Sequence, residues 1–391
     1  MSGLDYLNIL VVAGIAVAAP LLSGIAPFAL PEVVIQVVGG VVLGPSVLGV
    51  VKADGALQIL AALGLAYLLF VSGMEIRATT LRGPMLPLSL RAFGISALIA
   101  IAAALLLSAA GLVDNRALLV ATLVTTSLGI VVAVLKELGE QDSEMGQLTL
   151  VSAALGDFAS VGLLSVIFAS GPWERAFVLG LFAIAVMALI ATTIRLGVIR
   201  RVAGAFARRT RHTRHLYVRS TFAFMLGFAA VADLMGLEAI LGAFAAGVAI
   251  SVLGEQLPDG PPAHAHVEAV GLGVLAPMFF VTSGIHFDLT ALTESGKGLA
   301  LVPVLFVAMV LCRLAPALAF GGVLGRRRSV VAGLLLSTKL TFVVAAVEIA
   351  RQAGVVEPSV ASALVAAAVL SVLVLPVLAA GLWARPGMTV R

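Results

Sequence analysis

Residues 125–135 read TTSLGIVVAVL. Three hydroxyl residues, Thr125, Thr126 and Ser127, interrupt an otherwise apolar run, and Gly129 follows closely. A second stretch, STKLTFVVAAV at 337–347, repeats the pattern with Ser337, Thr338, Lys339 and then Thr341. In hydrocarbon every backbone N–H and C=O must be satisfied by the protein itself. Serine and threonine side chains can satisfy the groups freed where a helix unwinds. The alternative is a hydroxyl that bonds back to the preceding turn of an unbroken helix. The symmetric placement favours interruption, so two broken, crossing helices are expected here.

Composition makes hydrocarbon the relevant solvent. Of 391 residues, 61% are hydrophobic and only 11% charged, against about 25% charged in soluble chains. Mean hydropathy is +1.16. This is a polytopic membrane protein. Its net charge of +4 sits in loops between apolar segments, a topology signal and not a mark of nucleic-acid binding. The single cysteine, Cys312, excludes an intrachain disulfide. The first apolar run follows MSGLDY with no cationic stretch before it, so it reads as a spanning helix and not a cleaved signal.

Hydrophobic runs of membrane length number about thirteen, at roughly 6–26, 31–50, 55–75, 84–111, 117–136, 146–170, 175–197, 218–234, 237–254, 267–287, 298–323, 329–351 and 358–383. With the N-terminus outside, the inner loops collect Arg77 and Arg82, the basic stretch 195–219, Arg326, Arg327 and Arg328, and finally Arg385 and Arg391. The outer loops carry single charges such as Lys52, Arg116, Arg175 and Lys297. The asymmetry predicts a multi-pass cell-membrane protein with its N-terminus outside and its C-terminus in the cytoplasm.

Three pairs of segments lie seven spans apart: LLFVSGMEIRATTL (68–81) with MFFVTSGIHFDLTAL (278–292), VVGGVVLGPSVLG (37–49) with ILGAFAAGVAIS (240–251), and the two polar stretches above. An odd offset inverts the second copy. Inverted repeats with discontinuous helices are the plan of secondary transporters. The glycines of spans two and nine read instead as close helix packing.

One span after the first break, the stretch LTLVSAALGDFASVGLLSVIFAS (148–170) carries one charge, Asp157. A carboxylate at that depth costs roughly 2.5–3.5 kcal/mol on insertion scales, so it is read as functional. A proton and a monovalent cation would compete for it, which is antiport chemistry. Two cations lie equally deep, Arg313 and Lys339. Arg313 cannot lose its proton and is read as a fixed charge that compensates the negative ends of the broken helices. Lys339 either does the same or pairs with Asp157 directly.

The segments LPEVVIQVVGGVVLGPSVLG, LAYLLFVSGMEI, TSLGIVVAVLKELGE, LVSAALGDFASVGLL, LGAFAAGVAIS and PMFFVTSGIHFDL, in this order and spacing, resemble the monovalent cation:proton antiporter-2 family, which holds Kef-type and related sodium/proton antiporters. The resemblance implies an all-α fold of thirteen transmembrane helices and elevator-like exchange of Na+ or K+ for H+. It implies scaffold and dimerisation helices at about 1–82 and 218–295, core transport helices at about 83–170 and 298–391, a linker helix at about 175–197, and a homodimer. It places Asp157 on the family's ion-binding aspartate, and Thr125, Thr126, Ser127, Gly156, Ser337 and Thr338 around the ion. Arg313 falls where relatives carry a buried Lys or Arg. Gly156 falls where relatives carry Asp, Asn or Gln, which leaves one carrier carboxylate and implies one proton per cation. Lys339 falls near an acidic residue of Kef-like relatives. No cofactor is implied beyond the transported ions, and no cytoplasmic nucleotide-binding domain is expected.

Two other readings are weighed. A sodium-coupled organic-solute symporter of the bile-acid type shares the broken-helix plan but fits the motifs less well. An intramembrane aspartyl protease would use Leu155-Gly156-Asp157-Phe158 as a GxGD-like signature, with Pro316-Ala317-Leu318 as its PAL. It needs a second deep aspartate, and the sequence offers none.

Overall fold

A computed structural model describes residues 3–25, 32–52, 55–75, 85–168, 214–235, 237, 239–254, 264–294 and 296–383. These residues form helices, turns and loops, with no strand among them. The first half of the chain gives α1 (Gly3–Ile25), α2 (Glu32–Leu43), α3 (Gly55–Glu75), α4 (Leu86–Ala109), α5 (Arg116–Val124), α6 (Leu128–Glu137) and α7 (Glu144–Phe168). The second half gives α8 (Arg214–Leu234), α9 (Ala239–Gly254), α10 (His264–Val270), α11 (Ala276–Ile285) and α12 (Leu289–Glu294). It ends with α13 (Lys297–Ala317), α14 (Gly321–Leu336), α15 (Thr341–Gln352) and α16 (Pro358–Trp383). Among the described residues, eight stretches are long and apolar enough to cross a membrane. At 9 and 10 residues, α5 and α6 are each too short to cross alone. The expected linker span at 175–197 and most of the basic 195–219 stretch lie outside the described residues.

The chain divides into two compact units. One comprises Met1–Ala16, Ala53–Leu81 and Ser165–Thr282, the other Val17–Lys52, Arg82–Leu164 and Ser283–Arg391. In the first unit α3 and α9 touch backbone to backbone. A Cβ on Gly73 would come within 2.3 Å of the Phe244 carbonyl oxygen, and one on Gly247 within 2.0 Å of the Phe70 carbonyl oxygen. Only glycine permits that approach, so the glycines of span nine serve close packing. Between α10 and α11 one turn, Gly271–Leu275, widens to a π-helix. Pro277 lacks the N–H that would bond back into that turn. Gly271 packs on the ring of Tyr67, whose hydroxyl donates to the Val267 carbonyl at 2.9 Å.

The second unit is built around α13, which packs on α4, α14 and α16. Two of its buried hydroxyls tie helices together: Ser96 Oγ on α4 donates to the Cys312 carbonyl at 2.6 Å, and Ser152 Oγ on α7 donates to Ser89 Oγ at 3.0 Å. Span eleven does not stop at 323 as a simple helix. It passes through a 3₁₀ turn at Leu318–Phe320 and reverses at Gly325, whose φ of 74° is open to glycine. Arg326, Arg327 and Arg328 follow directly and are exposed. At this end Arg327 Nε donates to the Leu382 carbonyl at 2.8 Å. At the opposite end Lys297 binds Glu357 at 2.9 Å, and Asn115 caps α5 by accepting from Leu118 N at 3.0 Å. A cavity of about 370 Å³ opens beside Asn115, lined by Asp114, Leu118, Leu119, Glu357 and Leu364 among others.

Candidate functional site

Both polar triplets fall where helices stop. α5 ends at Val124, Thr125 is extended (φ −74°, ψ 170°), and α6 begins at Leu128. α14 ends at Leu336, the chain leaves helical geometry at Leu340 (φ −144°, ψ −64°), and α15 begins at Thr341. The two breaks satisfy each other's backbone. Ser127 N donates to the Thr338 carbonyl at 2.8 Å, Leu340 N donates to Ser127 Oγ at 2.8 Å, and Thr126 Oγ1 donates to the Leu336 carbonyl at 2.9 Å. The hydroxyls of Ser337 and Thr338 bond back into α14, to Gly333 O at 2.7 Å and Leu335 O at 2.6 Å. Those two side chains close the end of α14 and donate nothing to Asp157.

Asp157, on α7, is 8% exposed and is the one buried carboxylate among the described residues. Thr125 Oγ1 donates to its Oδ1 at 2.9 Å, and Thr126 N donates to the same oxygen at 3.1 Å. Both bonds end on Oδ1, so the carboxylate is pinned to the first break by one oxygen. Gly156 is the next residue back. A Cβ there would lie 1.9 Å from Arg313 Nη2 and 2.8 Å from the Val124 carbonyl oxygen. The absence of a side chain at 156 is what lets the guanidinium sit against α7 and lets α7 sit against the end of α5.

Arg313 is 3% exposed and lies over the Phe93 ring, with Cζ 5.8 Å from the centroid. Its Nε and Nη2 have no hydrogen-bond partner among the described residues. A fixed cation against an aromatic face gains about 0.5–2 kcal/mol. It lies beside Asp157 as a charge but makes no ion pair with it within 4 Å among the described residues.

Lys339 is fully buried. Its ammonium donates to the Leu123 carbonyl at 2.7 Å and to the Thr125 carbonyl. These are last-turn carbonyls of α5, which have no partner within the helix and carry the negative end of its dipole. Of the two placements open to this lysine from sequence, its hydrogen bonds run to a broken helix end. No direct ion pair with Asp157 is present among the described residues. The carbonyl end of α5 is the stronger competitor because it offers two acceptors at once. Ser371 on α16 holds the lysine's backbone, accepting from Lys339 N at 3.0 Å and donating to Lys339 O at 3.1 Å.

Phe93, Ser371 and the Leu123 carbonyl were not legible as site groups. A lone serine in an apolar helix is a weak signal, and a carbonyl carries none. Together the groups make a buried site with one negative and two positive side chains, next to a cluster of backbone carbonyls. Such a site can bind a small cation or release one.

The family model described as "Sodium/hydrogen exchanger, transmembrane" matches residues 11–384. YjbQ of Bacillus subtilis (strain 168), named for Na(+)/H(+) antiport, is 29% identical over 400 residues, covering 96% of this chain and 63% of that protein. The Cation/H(+) antiporter 18 of Arabidopsis thaliana is 29% identical over 339 residues, covering 80% of this chain and 41% of the relative. The chain thus spans less than two thirds of either. The Na(+)/H(+) antiporter of Enterococcus hirae is 26% identical over 377 residues and matches 90% and 91% of the two chains. Among solved structures, the sodium proton antiporter MjNhaP1 of Methanocaldococcus jannaschii shares the fold, with a TM-score of 0.67 over 97% of each chain at 15% identity. These matches do not favour the organic-solute symporter or the intramembrane protease. An all-helical membrane chain with two broken helices meeting at one buried aspartate, matched over almost its whole length by that model, belongs to the sodium/hydrogen exchanger family of monovalent cation:proton antiporters, which are transporters and not enzymes.

Proposed function

We propose that this chain exchanges a monovalent cation, Na+ or K+, for H+ across the cell membrane, with Asp157 as the ligand on which the two ions alternate. The observation that carries the reading is the single buried carboxylate held by one oxygen at the junction of the two broken helices. Its second oxygen is outside those bonds. Backbone carbonyls at the end of α5 lie next to it, and unwound carbonyls and half-helix ends are what transporters use to bind cations. With one acid, each cation exchanged corresponds to one proton, so transport is electroneutral.

The reading extends to mechanism. Core helices at about 83–170 and 298–391 move as a body against a scaffold of about 1–82 and 218–295, joined by a linker at about 175–197, in a homodimer with its N-terminus outside and its C-terminus in the cytoplasm. Thr125, Asp157, Arg313 and Lys339 all belong to one compact unit, as a moving body requires, and that unit also takes in Val17–Lys52. The cavity beside Asn115 opens at the start of α5, roughly 13 Å along that helix from the break, and supplies an approach.

The test is exchange in proteoliposomes with a pH-sensitive dye, using Na+, K+, Li+ and small organic cations. Asp157→Asn keeps an acceptor for Thr125 and Thr126 and is expected to fold normally while losing exchange. Dye recovery equal to that of the unaltered protein would overturn the assignment.

A further inference from the structure

One end of the second unit carries a basic turn that the exchange site does not use. Gly325, with its φ of 74°, reverses the chain between the 3₁₀ turn at Leu318–Phe320 and the rest of α14. Arg326, Arg327 and Arg328 stand in a row directly after it, all exposed. Two of them are fixed against the last turn of α16. Arg327 Nε donates to the Leu382 carbonyl at 2.8 Å, and Arg328 Cζ lies 5.7 Å from the centroid of the Trp383 ring.

Positive charge is collected here with little to answer it. Residues 298–347 and 358–391, which include the whole of α14 and α16, contain no aspartate or glutamate. Glu140, Asp142 and Glu144 lie in and beside the α6–α7 turn, whose Met145 packs in the same apolar cluster as Leu324. Even so, neither Arg326 nor Arg328 makes an ion pair within 4 Å among the described residues. A topology signal needs charge in a loop, but it does not need that charge held in place. Here Leu382 and Trp383 hold two neighbouring guanidiniums together against their mutual repulsion. A tryptophan at the end of a spanning helix sits at headgroup depth. Toward the hydrocarbon from it, Leu378 and Leu382 lie one helical turn apart on the same side of α16, 49% and 44% exposed. The turn therefore offers guanidiniums at headgroup level and an apolar strip leading away from them. Guanidinium forks match phosphate oxygens in pairs, and basic clusters on the cytoplasmic side of membrane helices suit anionic headgroups.

We propose that Arg326, Arg327 and Arg328, with Trp383, form a site for an anionic phospholipid of the inner leaflet, its phosphate on the guanidiniums and an acyl chain along Leu378 and Leu382. The proposal rests on the reading that this end faces the cytoplasm, and not on which ion is exchanged. The site belongs to the same compact unit as Asp157, and α14 runs from the arginines to the second break, before α15 begins at Thr341. A lipid held there grips the helix that ends at the exchange site.

The experiment melts the full chain in detergent with dioleoylphosphatidylglycerol or dioleoylphosphatidylcholine added as mixed micelles. The melting temperature is expected to rise with phosphatidylglycerol and not with phosphatidylcholine. In Arg326→Gln/Arg328→Gln that rise is expected to fall by at least half. In Arg77→Gln/Arg82→Gln, which removes two inner-loop charges elsewhere in the chain, it is expected to persist. Native mass spectrometry supplies a readout independent of stability: the Arg326→Gln/Arg328→Gln protein should retain fewer phosphatidylglycerol molecules than the unaltered one. Equal retention overturns the proposal even where the melting temperature has changed. An equal loss of the rise in the two double variants also overturns it, because the attraction would then be diffuse. The same rise with glycerol 1-phosphate would make this a seat for free phosphate and overturn the lipid assignment. None of these outcomes depends on exchange activity, so the antiporter reading stands or falls separately.

Discussion

Gly156 is the residue on which the site's composition turns. The family resemblance implies an acid or amide at this position, so from sequence alone the glycine reads as a missing ligand. The structure adds the reason a side chain is excluded: Arg313 Nη2 and the Val124 carbonyl would lie 1.9 Å and 2.8 Å from a Cβ at that point. The arginine end can swing aside, but the carbonyl cannot. Gly156→Ala would gain about 1 kcal/mol of helix propensity against about 1–3 kcal/mol of overpacking. A lower melting temperature than that of the unaltered protein is expected, and a higher one would show that the contact yields freely.

The two interrupted helices hold each other. Each break supplies part of what the other lacks: the Leu336 and Thr338 carbonyls and Leu340 N of the second find partners in the first. Ser127 is the hinge pin of this exchange: its N–H donates to Thr338 O and its Oγ accepts from Leu340 N. Ser127→Ala leaves a buried N–H without its acceptor, which costs about 1–3 kcal/mol. The expected outcome is a drop in thermal stability in detergent. A Ser127→Ala protein that melts with the unaltered one would show that another group takes over Leu340 N. The triplets were legible as break points because the two polar stretches sit at matching places seven spans apart. Which hydroxyls face the aspartate was not legible. Thr125 does, while Ser337 and Thr338 turn back on α14, since each had both options from sequence alone.

At the scale of the whole chain, the turns at one end of the second unit are tied by Lys297 and Glu357. The Glu357 carboxyl is held below its ordinary range, first by the Ser359 hydroxyl and then by Lys297. A depressed carboxylate contributes stability above its unfolded value and loses it as pH falls through the folded one. The contribution is therefore present at neutral pH and is lost in acid, below the ordinary carboxylate range. The pair is exposed, so it is worth less than about 1 kcal/mol. Glu357→Gln is expected to melt slightly lower at pH 7 and to converge with the unaltered protein on acidification; a gap that widens in acid would contradict this. Membrane orientation is testable on the same chain because its one cysteine, Cys312, is buried. A cysteine placed at Lys297 should react with an impermeant thiol reagent from outside the cell, and one at Arg326 should not. The reverse pattern would invert the topology.

The sequence by itself determined the solvent, the two break points and the three deep charges. Those follow from composition and from the expense of charge and unpaired backbone in hydrocarbon, which are properties of residues and short segments. Tertiary structure alone decided which charge meets which partner. Arg313, Lys339 and Asp157 are far apart in the chain, and their relations depend on where α5, α7, α13 and α14 bring backbone carbonyls and an empty Cβ position together. A carbonyl is present at every residue and leaves no trace in sequence. The seat that holds Lys339, and with it the arrangement around Asp157, could therefore be read only from the folded chain.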